Sequence, residues 1–214
     1  MIYLINYGLI LSCIICYVLG SIPNGYYMVK LYCRKDIRNE GSGNVGTLNA
    51  LQVSNSKRTG FVVLVLDFLK GFIPVAIMLY VFHFQLYFVL ISSIFIVIGH
   101  NYPVWLKFKG GRGLASAAGI FLIFNYGFVI SWLLIWGIIY SLKKDILVSN
   151  FAATLLFPLL VILFKNLCMP FLNPVINIEN YGLFVIFTII ISLLIIIKHK
   201  MVLNRLIPFT AKNL

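Results

Sequence analysis

Long apolar stretches separated by short polar segments dominate the chain. The apolar blocks lie at about residues 2–22, 60–82, 85–106, 113–142, 147–167 and 181–198. Because a helix needs about 20 apolar residues to cross the hydrocarbon core of a bilayer, blocks of this length are typical of transmembrane helices. The pattern therefore predicts an all-α, polytopic integral membrane protein.

The fourth block, 113–142, is too long for a single crossing. As one helix it would extend about 45 Å, whereas the hydrocarbon core of a bilayer is about 30 Å thick. Asn125, Tyr126 and Gly127 lie near its middle and predict a turn between two shorter helices. This division predicts about seven transmembrane helices in a single domain that spans residues 1–214.

The composition agrees with this class of protein. Of the 214 residues, 62% are hydrophobic and only 10% are charged, and the mean hydropathy is +1.03. A soluble domain would carry roughly 25% charged residues to cover its surface. An ordinary soluble domain is therefore excluded.

The basic residues predict the orientation of the chain in the membrane. There are 17 Lys and Arg residues against 5 acidic ones, which gives a formal net charge of +12. Most of them lie in the loops between apolar blocks, as in the cytoplasmic loops of membrane proteins, and this argues against nucleic acid as a partner. With seven helices and the N-terminus outside, all basic residues except Lys70 and Lys165 fall on the cytoplasmic side, together with the C-terminus.

The loop after the first block is rich in groups that can hold an anion. Residues 40–49 contain three glycines and several small polar side chains. Backbone N–H groups, amides and hydroxyls in such a loop can be directed at an anion. The candidate residues are Ser42, Gly43, Asn44, Gly46 and Asn49. The alternative is an ordinary polar turn between two membrane helices.

Two ionisable residues, Asp67 and Lys70, lie within the second block. A separation of three residues places them on one helix face, about one turn apart. Ionisable groups at membrane depth are costly and normally face a polar cavity or each other, so this pair is a candidate for a site. The alternative is a structural ion pair that only fixes helix packing.

A third candidate site is the segment 99–113. Its basic residues are Lys107, Lys109 and Arg112, and its last glycines are Gly110, Gly111 and Gly113. Glycines leave the backbone free to wrap an anion, and the helix that follows begins with the positive end of its dipole. The segment therefore predicts a phosphate-binding loop. It lacks the spacing of a Walker A loop, so a nucleotide is not implied, and the alternative is a basic flank of a membrane helix.

His100 and His199 lie at the predicted cytoplasmic ends of two membrane helices. A folded bundle can bring both to one cavity mouth, where either could act as a general base. The alternative is that each is a hydrogen-bonded anchor at the membrane interface. No carboxylate cluster accompanies them in the sequence, so a metal site is not expected.

Four short motifs follow one another along the chain. They are Leu19–Gly25, Gly41–Gly46, Leu66–Gly71, and Gly99–His100 with Pro103 leading into Phe108–Ser116. Together they resemble the motifs of the acyl-phosphate:glycerol-3-phosphate acyltransferase family of the PlsY type. Several separate motifs in order are more specific than any one of them.

The resemblance implies an enzyme of the bacterial inner membrane with its active site on the cytoplasmic face. Such an enzyme moves an acyl chain from acyl phosphate to the 1-hydroxyl of glycerol 3-phosphate, which gives lysophosphatidic acid and phosphate for phospholipid biosynthesis. Membrane lipid surrounds it, and no cofactor or metal is expected.

The resemblance also assigns roles to residues. It implies catalytic roles for Ser42, Lys109 and His199. The substrate-binding residues that it implies are Gly43, Asn44, Gly46, Asn49, Asp67, Lys70, His100, Lys107, Gly110, Gly111, Arg112, Gly113, Ser116 and Arg205.

The chain departs from the family's pattern at several polar positions. Leu48 and Gln52 stand where the family has a threonine and an arginine, and Arg112 stands where it has a lysine. Near the C-terminus, Val202 and Ala211 stand where it has an asparagine and a glutamate. Two alternatives therefore stay open: a diverged paralogue with another acceptor or weak activity, and a non-catalytic lipid-handling or transport protein.

Overall fold

The computed structural model describes residues 2–163, 165 and 181–199, and all regular structure within these residues is helical. The α-helices are α1 (Ile2–Gly20), α2 (Asn24–Cys33), α3 (Thr47–Ser54), α4 (Lys57–Ala76), α5 (Leu86–Asn101), α6 (Leu114–Phe124), α7 (Tyr126–Lys143), α8 (Ile146–Leu163) and α9 (Tyr181–Ile197). A π-helical turn, Ile77–Val81, extends α4. Two short 3₁₀ helices occur at Ile37–Asn39 and Val104–Leu106.

Five helical segments of the described chain are long and apolar enough to cross a membrane. They are Tyr7–Cys33, Lys57–Val81, Leu86–Leu106, Tyr126–Lys143 and Ile146–Leu163. The helices α6 and α9 are apolar but shorter. The all-helical prediction is thus confirmed for the described residues, while the number of crossings and the orientation of the termini stay predictions.

The predicted break in the fourth apolar block is confirmed. Helix α6 ends at Phe124, and α7 begins at Tyr126. Asn125 between them is extended, and its side-chain oxygen accepts a hydrogen bond from the Gly127 N–H at 2.6 Å. An asparagine in this position satisfies one of the N–H groups that a helix start leaves without an acceptor. The block is therefore two helices, of which the first has only 11 residues.

Glycines bring α6 directly against α4. A Cβ atom on Gly71 would collide with the main-chain carbonyl of Ser116, and a Cβ atom on Gly119 would collide with that of Phe68. Small residues at a helix interface allow the two backbones to approach closely, as is common in membrane helix packing. The contact fixes α6 in the interior, where it can present its N-terminus to the groups on α4.

Close backbone packing at glycines also joins α1 to α5. A Cβ atom on Gly20 would collide with the carbonyl of Ile96, and one on Gly99 would collide with that of Tyr17. The hydroxyls of Ser12 and Ser92 lie 2.7 Å apart across this contact. The packing therefore fixes the end of α5 that carries His100.

We expect Gly71→Ala and Gly119→Ala each to lower the free energy of unfolding by about 1–3 kcal/mol, because the added methyl group forces the two backbones apart. Thermal unfolding in detergent measures this. Gly137→Ala in α7 is the matched control, since nothing lies within 4 Å of its Cβ position, and it should be neutral or stabilising by up to about 1 kcal/mol. Equal destabilisation by all three would contradict the packing argument.

Candidate active site

One cavity of about 410 Å³ lies among helices α3 to α9. Polar residues from the loops and helix ends line one part of it: Asn44, Thr47, Asp67, His100 and Arg112. Large apolar residues of α6, α7 and α8 line the other part: Phe121, Phe128, Val129, Trp132, Leu133 and Phe157. The cavity is thus amphipathic, and this division of its lining suits a ligand with a polar head and an apolar tail.

Two helices begin at the polar part of the cavity. Gly46 precedes α3 and Gly113, with φ +87°, precedes α6, and both glycines line the cavity. The first N–H groups of a helix have no acceptor within the helix, and they carry the positive end of its dipole. Arg112 lines the cavity beside them. This arrangement favours an anion such as a phosphate group.

The loop between α5 and α6 folds back on the end of α5. The N–H of Gly110 donates to the carbonyl of Asn101 at 3.2 Å, and that of Gly111 donates to the carbonyl of His100 at 3.0 Å. A Cβ atom on Gly111 would collide with the imidazole of His100. These two glycines therefore shape the loop and hold His100, whereas Gly113, Leu114 and Ala115 at the start of α6 line the cavity.

Asn49 organises the loop that precedes α3. Its side-chain nitrogen donates to the carbonyls of Ile37, Glu40 and Asn44 at 3.3, 3.1 and 2.8 Å. Its side-chain oxygen accepts a hydrogen bond from the N–H of Ser42 at 2.9 Å. Asn49 is 2% exposed, so its polar atoms act within the protein. The network presents Asn44 to the cavity.

Asp67 lies at the centre of a buried polar network on α4. One carboxylate oxygen lies 2.9 Å from the Lys70 ammonium and accepts a hydrogen bond from the Asn24 amide at 3.0 Å. The same oxygen lies 3.8 Å from Nδ1 of His100. The hydroxyl of Ser116 donates to the main-chain carbonyl of Asp67 at 2.9 Å, and its oxygen lies 3.4 Å from Nδ1 of His100. The network joins α2, α4, α5 and α6 around one wall of the cavity.

His199 follows α9 and is almost fully buried. Its Nδ1–H donates to the carbonyl of Ile195 at 2.8 Å, so in the neutral ring Nε2 carries the free lone pair. Nε2 has no hydrogen-bond partner among the described residues. Burial, together with the positive charge of Arg112, lowers the pKa of His199 to about 4. The imidazole is therefore neutral near pH 7 and can accept a proton.

The predicted site residues separate into two groups. Those that line the cavity are Asn44, Gly46, Asp67, His100, Arg112 and Gly113. Those that do not line it are Ser42, Gly43, Asn49, Lys70, Lys107, Lys109, Gly110, Gly111, Ser116 and His199. Lys107 and Lys109 are exposed. Arg205 lies outside the described residues.

Several polar residues of the cavity were not predicted from the sequence. Asn150 and Thr154 of α8 and Ser192 of α9 line it. The fully buried Asn101 does not line the cavity, but it donates to the carbonyl of Leu194 at 2.9 Å and so joins α5 to α9. The signal was present for Asn150 and Thr154, because polar residues four apart share one face of an otherwise apolar helix. The local sequence pattern does not indicate which helix packs against that face.

The fold and the cavity define a helical membrane protein in which polar residues and Arg112 line one end of the cavity and apolar residues line the other. A family model described as glycerol-3-phosphate acyltransferase matches residues 10–208. The chain therefore belongs to the glycerol-3-phosphate acyltransferase family.

Relatives and solved structures agree with this family. The glycerol-3-phosphate acyltransferase of Pelagibacter ubique is 39% identical over 151 residues, which cover 70% of this chain and 76% of that protein. The enzyme of the same name from Enterococcus faecalis is 32% identical over 198 residues, which cover 92% and 88%.

A crystal structure of PlsY (YgiH), an integral membrane glycerol 3-phosphate acyltransferase, in its glycerol 3-phosphate form superposes with a TM-score of 0.77 at 32% identity. The match covers 93% of this chain and 92% of that one. The lysophosphatidic acid form of the same enzyme gives a TM-score of 0.76 at 30% identity, with 93% and 91% covered.

We expect Asp67→Asn and Lys70→Met each to cost about 3–5 kcal/mol of stability, because each leaves a buried charge without its partner. The double variant should lose clearly less than the two single losses together. Thermal unfolding in detergent gives the three values. Asp36→Asn, which breaks a more exposed pair with Arg38, is the control and should cost less than about 1 kcal/mol. Additive losses at Asp67 and Lys70 would show that the pair is not coupled.

Burial is the main cause of the low pKa of His199, and the charge of Arg112 lowers it further. We therefore expect Arg112→Gln to raise the pKa of His199 above about 4 but to leave it below the ordinary value of 6.5, because the burial remains. NMR titration of labelled histidine in detergent measures the shift. Lys109→Gln, which removes an exposed charge from the same loop, should leave the titration of His199 unchanged. No shift in Arg112→Gln would mean that the two side chains do not interact.

Proposed function

We propose that this protein transfers an acyl chain from acyl phosphate to the 1-hydroxyl of glycerol 3-phosphate, which produces lysophosphatidic acid and phosphate for phospholipid synthesis. The single observation that carries the proposal is the amphipathic cavity, which combines Arg112 and two helix N-termini with an apolar chamber. Both substrates carry a phosphate group, and one of them also carries a long apolar chain. Family membership supports the acceptor, and the resemblance of the motifs supports the donor.

The chemistry requires positioning and charge stabilisation more than a covalent intermediate. Acyl phosphate is a mixed anhydride and is already activated. The acceptor hydroxyl oxygen attacks the acyl carbonyl carbon, a new C–O bond forms, and the bond from that carbon to the phosphate oxygen breaks. Phosphate leaves, and the hydroxyl proton passes to a base. Fixed donors that stabilise the developing negative charge can supply most of the rate enhancement.

We assign the phosphate contacts to Arg112 and the first N–H groups of α3 and α6. Arg112 is half-buried, burial lowers its pKa, and its Nε has no hydrogen-bond partner among the described residues. A guanidinium with a free N–H is suited to bind phosphate. Lys107 and Lys109, exposed on the same loop, would attract anionic substrates by their charge.

We assign the proton of the acceptor hydroxyl to Nε2 of His199, whose ring lies behind the wall that Ile195 and Arg112 form. This nitrogen has a free lone pair, and the pKa of about 4 keeps the ring neutral at physiological pH. His100 and Asp67 would hold the wall of the site, with Ser116 and Lys70 as their buried partners. Ser42, whose N–H donates to the side chain of Asn49, would help to hold substrate.

We further propose that the protein crosses the bacterial inner membrane seven times, with the N-terminus outside. The cavity's polar part would then face the cytoplasm. The basic loop 107–112 and the pair Lys143 and Lys144 support this orientation, because cytoplasmic loops carry an excess of Lys and Arg.

One observation favours a second candidate, a diverged member with another acceptor. Leu48, which stands where the family's pattern has a threonine, lines the cavity. An apolar side chain there removes a hydroxyl that could bind the acceptor. Gln52 is exposed and does not line the cavity, and Val202 and Ala211 lie outside the described residues.

The proposed reaction is tested with purified protein in detergent and palmitoyl phosphate as donor. We expect phosphate release that depends on glycerol 3-phosphate, with formation of lysophosphatidic acid, and no transfer from palmitoyl coenzyme A. Stimulation only by a different hydroxyl acceptor would favour the second candidate. No stimulation by any acceptor would overturn the enzymatic proposal.

Gly111→Ala tests the site within the same assay. The added methyl group collides with the imidazole of His100, and we expect kcat/KM to fall about a hundredfold because a displaced group at a reacting site can have an effect of this size. Gly182→Ala is the matched control, since nothing lies within 4 Å of its Cβ position, and its activity should equal that of the unaltered enzyme. Equal activity of the two variants would remove the loop from the site.

A further inference from the structure

Three phenylalanines form a wall across the apolar part of the cavity. The ring centroids of Phe121 and Phe157 lie 5.2 Å apart, those of Phe128 and Phe157 lie 6.0 Å apart, and those of Phe121 and Phe128 lie 6.4 Å apart. All three pairs are edge-to-face, and all three rings line the cavity. We call these three residues the aromatic wall. Edge-to-face rings at these distances attract one another beyond the effect of burial alone.

A second layer of rings supports the aromatic wall from behind. Phe184 of α9 stacks on Phe128 at 5.2 Å, and its ring lies 6.1 Å from that of Phe121. Phe187 lies 5.6 Å from Phe121. Neither Phe184 nor Phe187 lines the cavity. The wall therefore has close-packed side chains behind it, and its rings have little room to move aside.

The aromatic wall lies at the end of the cavity opposite Arg112. Helix α6 begins directly after Arg112 and Gly113, and Phe121 lies seven residues beyond its first residue, about 10 Å along the axis. On α8 the cavity-lining residues Ile146, Asn150, Thr154 and Phe157 follow one another turn by turn. On both helices the phenylalanine is the last residue of the lining.

Small side chains keep the space between the two ends open. Ala117 and Ala118, one turn before Phe121 on α6, both line the cavity. A larger side chain at either position would occupy the path from Arg112 to the aromatic wall. Position 118 is therefore a place where the free length of the cavity can be shortened without a change at the wall itself.

We propose that the aromatic wall sets the longest acyl chain that this enzyme accepts efficiently. The inference rests on the proposed function, which places the reacting carbonyl at the Arg112 end and the alkyl tail along α6. A chain with its carbonyl fixed at one end extends until its terminal methyl group meets the rings. Each further methylene group must then displace a closely packed ring or fold back, and either lowers transition-state binding.

The cavity has a second boundary that the test must distinguish. Leu51, Leu64, Leu133 and Ile146 line the cavity, yet they are 37%, 42%, 51% and 37% exposed on the surface of the helix bundle. A tail that left between these residues would enter the surrounding lipid, where added methylene groups meet no wall. In that case chain length would have no relation to Phe121, Phe128 or Phe157.

The experiment compares lauroyl, palmitoyl, stearoyl and arachidoyl phosphate as donors, with glycerol 3-phosphate as acceptor and kcat/KM as the readout. We expect Phe157→Ala to raise the arachidoyl-to-palmitoyl ratio of kcat/KM about tenfold, because it opens space beyond the wall. Ala118→Leu should shift the profile the other way and lower the palmitoyl-to-lauroyl ratio about tenfold.

Phe124→Ala is the matched control for loss of an aromatic ring. Phe124 is 1% exposed and packs on Phe184 and Phe187, but it does not line the cavity. It should lose stability as Phe157→Ala does and keep the chain-length profile of the unaltered enzyme. If Phe157→Ala fails to fold, Phe157→Leu and Ala118→Leu still provide the two opposite shifts.

The outcomes separate this proposal from the proposed function. Unaltered enzyme that shows no release dependent on glycerol 3-phosphate with any donor would refute the function itself. Active enzyme whose profile is the same in Phe157→Ala, Ala118→Leu and Phe124→Ala would overturn the aromatic wall as the determinant and indicate that the tail leaves into lipid. Opposite shifts at the two cavity positions, with none at Phe124, support the proposal.

Discussion

The close contact between α4 and α6 is the constraint on which the site depends. Glycines at 71 and 119 let backbone meet backbone, so that α6 lies deep in the bundle although it has only 11 residues. The contact places the hydroxyl of Ser116 on the main chain of Asp67 and beside His100. It also fixes the start of α6, whose first N–H groups have no acceptor within the helix, at the polar part of the cavity. A larger residue at either glycine would separate these groups by forcing two backbones apart.

The charged side chains around the cavity are of two kinds. Some are paired with other protein groups, and Arg112 has an N–H that is available to a ligand. Asp67 has Lys70 and Asn24 as partners, and burial makes such pairing necessary because an isolated charge in a membrane helix is costly. Arg112 lines the cavity with an Nε that has no partner among the described residues. The burial of His199, together with the charge of Arg112, keeps the imidazole of His199 neutral. A positive site beside a neutral base suits anionic substrates whose reaction releases a proton.

Local signals predicted the helices and some of the residues that line the cavity. The break at Asn125 followed from helix length and a turn-forming sequence, and Asn125 does start α7 with a side-chain hydrogen bond. The loops 40–49 and 107–113 do contribute Asn44, Gly46, Arg112 and Gly113 to the cavity. Within those loops the pattern did not separate residues that face the cavity from those that build its frame. Taken alone, Asn49 and Gly111 are residue types that can bind an anion. In the structure, however, Asn49 bonds backbone carbonyls of its own loop and Gly111 packs against His100.

The sequence by itself determined the class of environment, because the free energy of placing apolar side chains in lipid depends on residue type and run length. It also determined that glycines and basic residues, which have the chemical groups that an anion needs, follow the ends of apolar segments. Only the tertiary structure decided which polar atoms remain free, because a hydrogen bond to a distant helix depends on how close two backbones come. The same is true of the apolar chamber, where Phe121, Phe128 and Phe157 meet from three different helices. The sequence pattern of one of those helices does not indicate which aromatic rings of the other two will contact it.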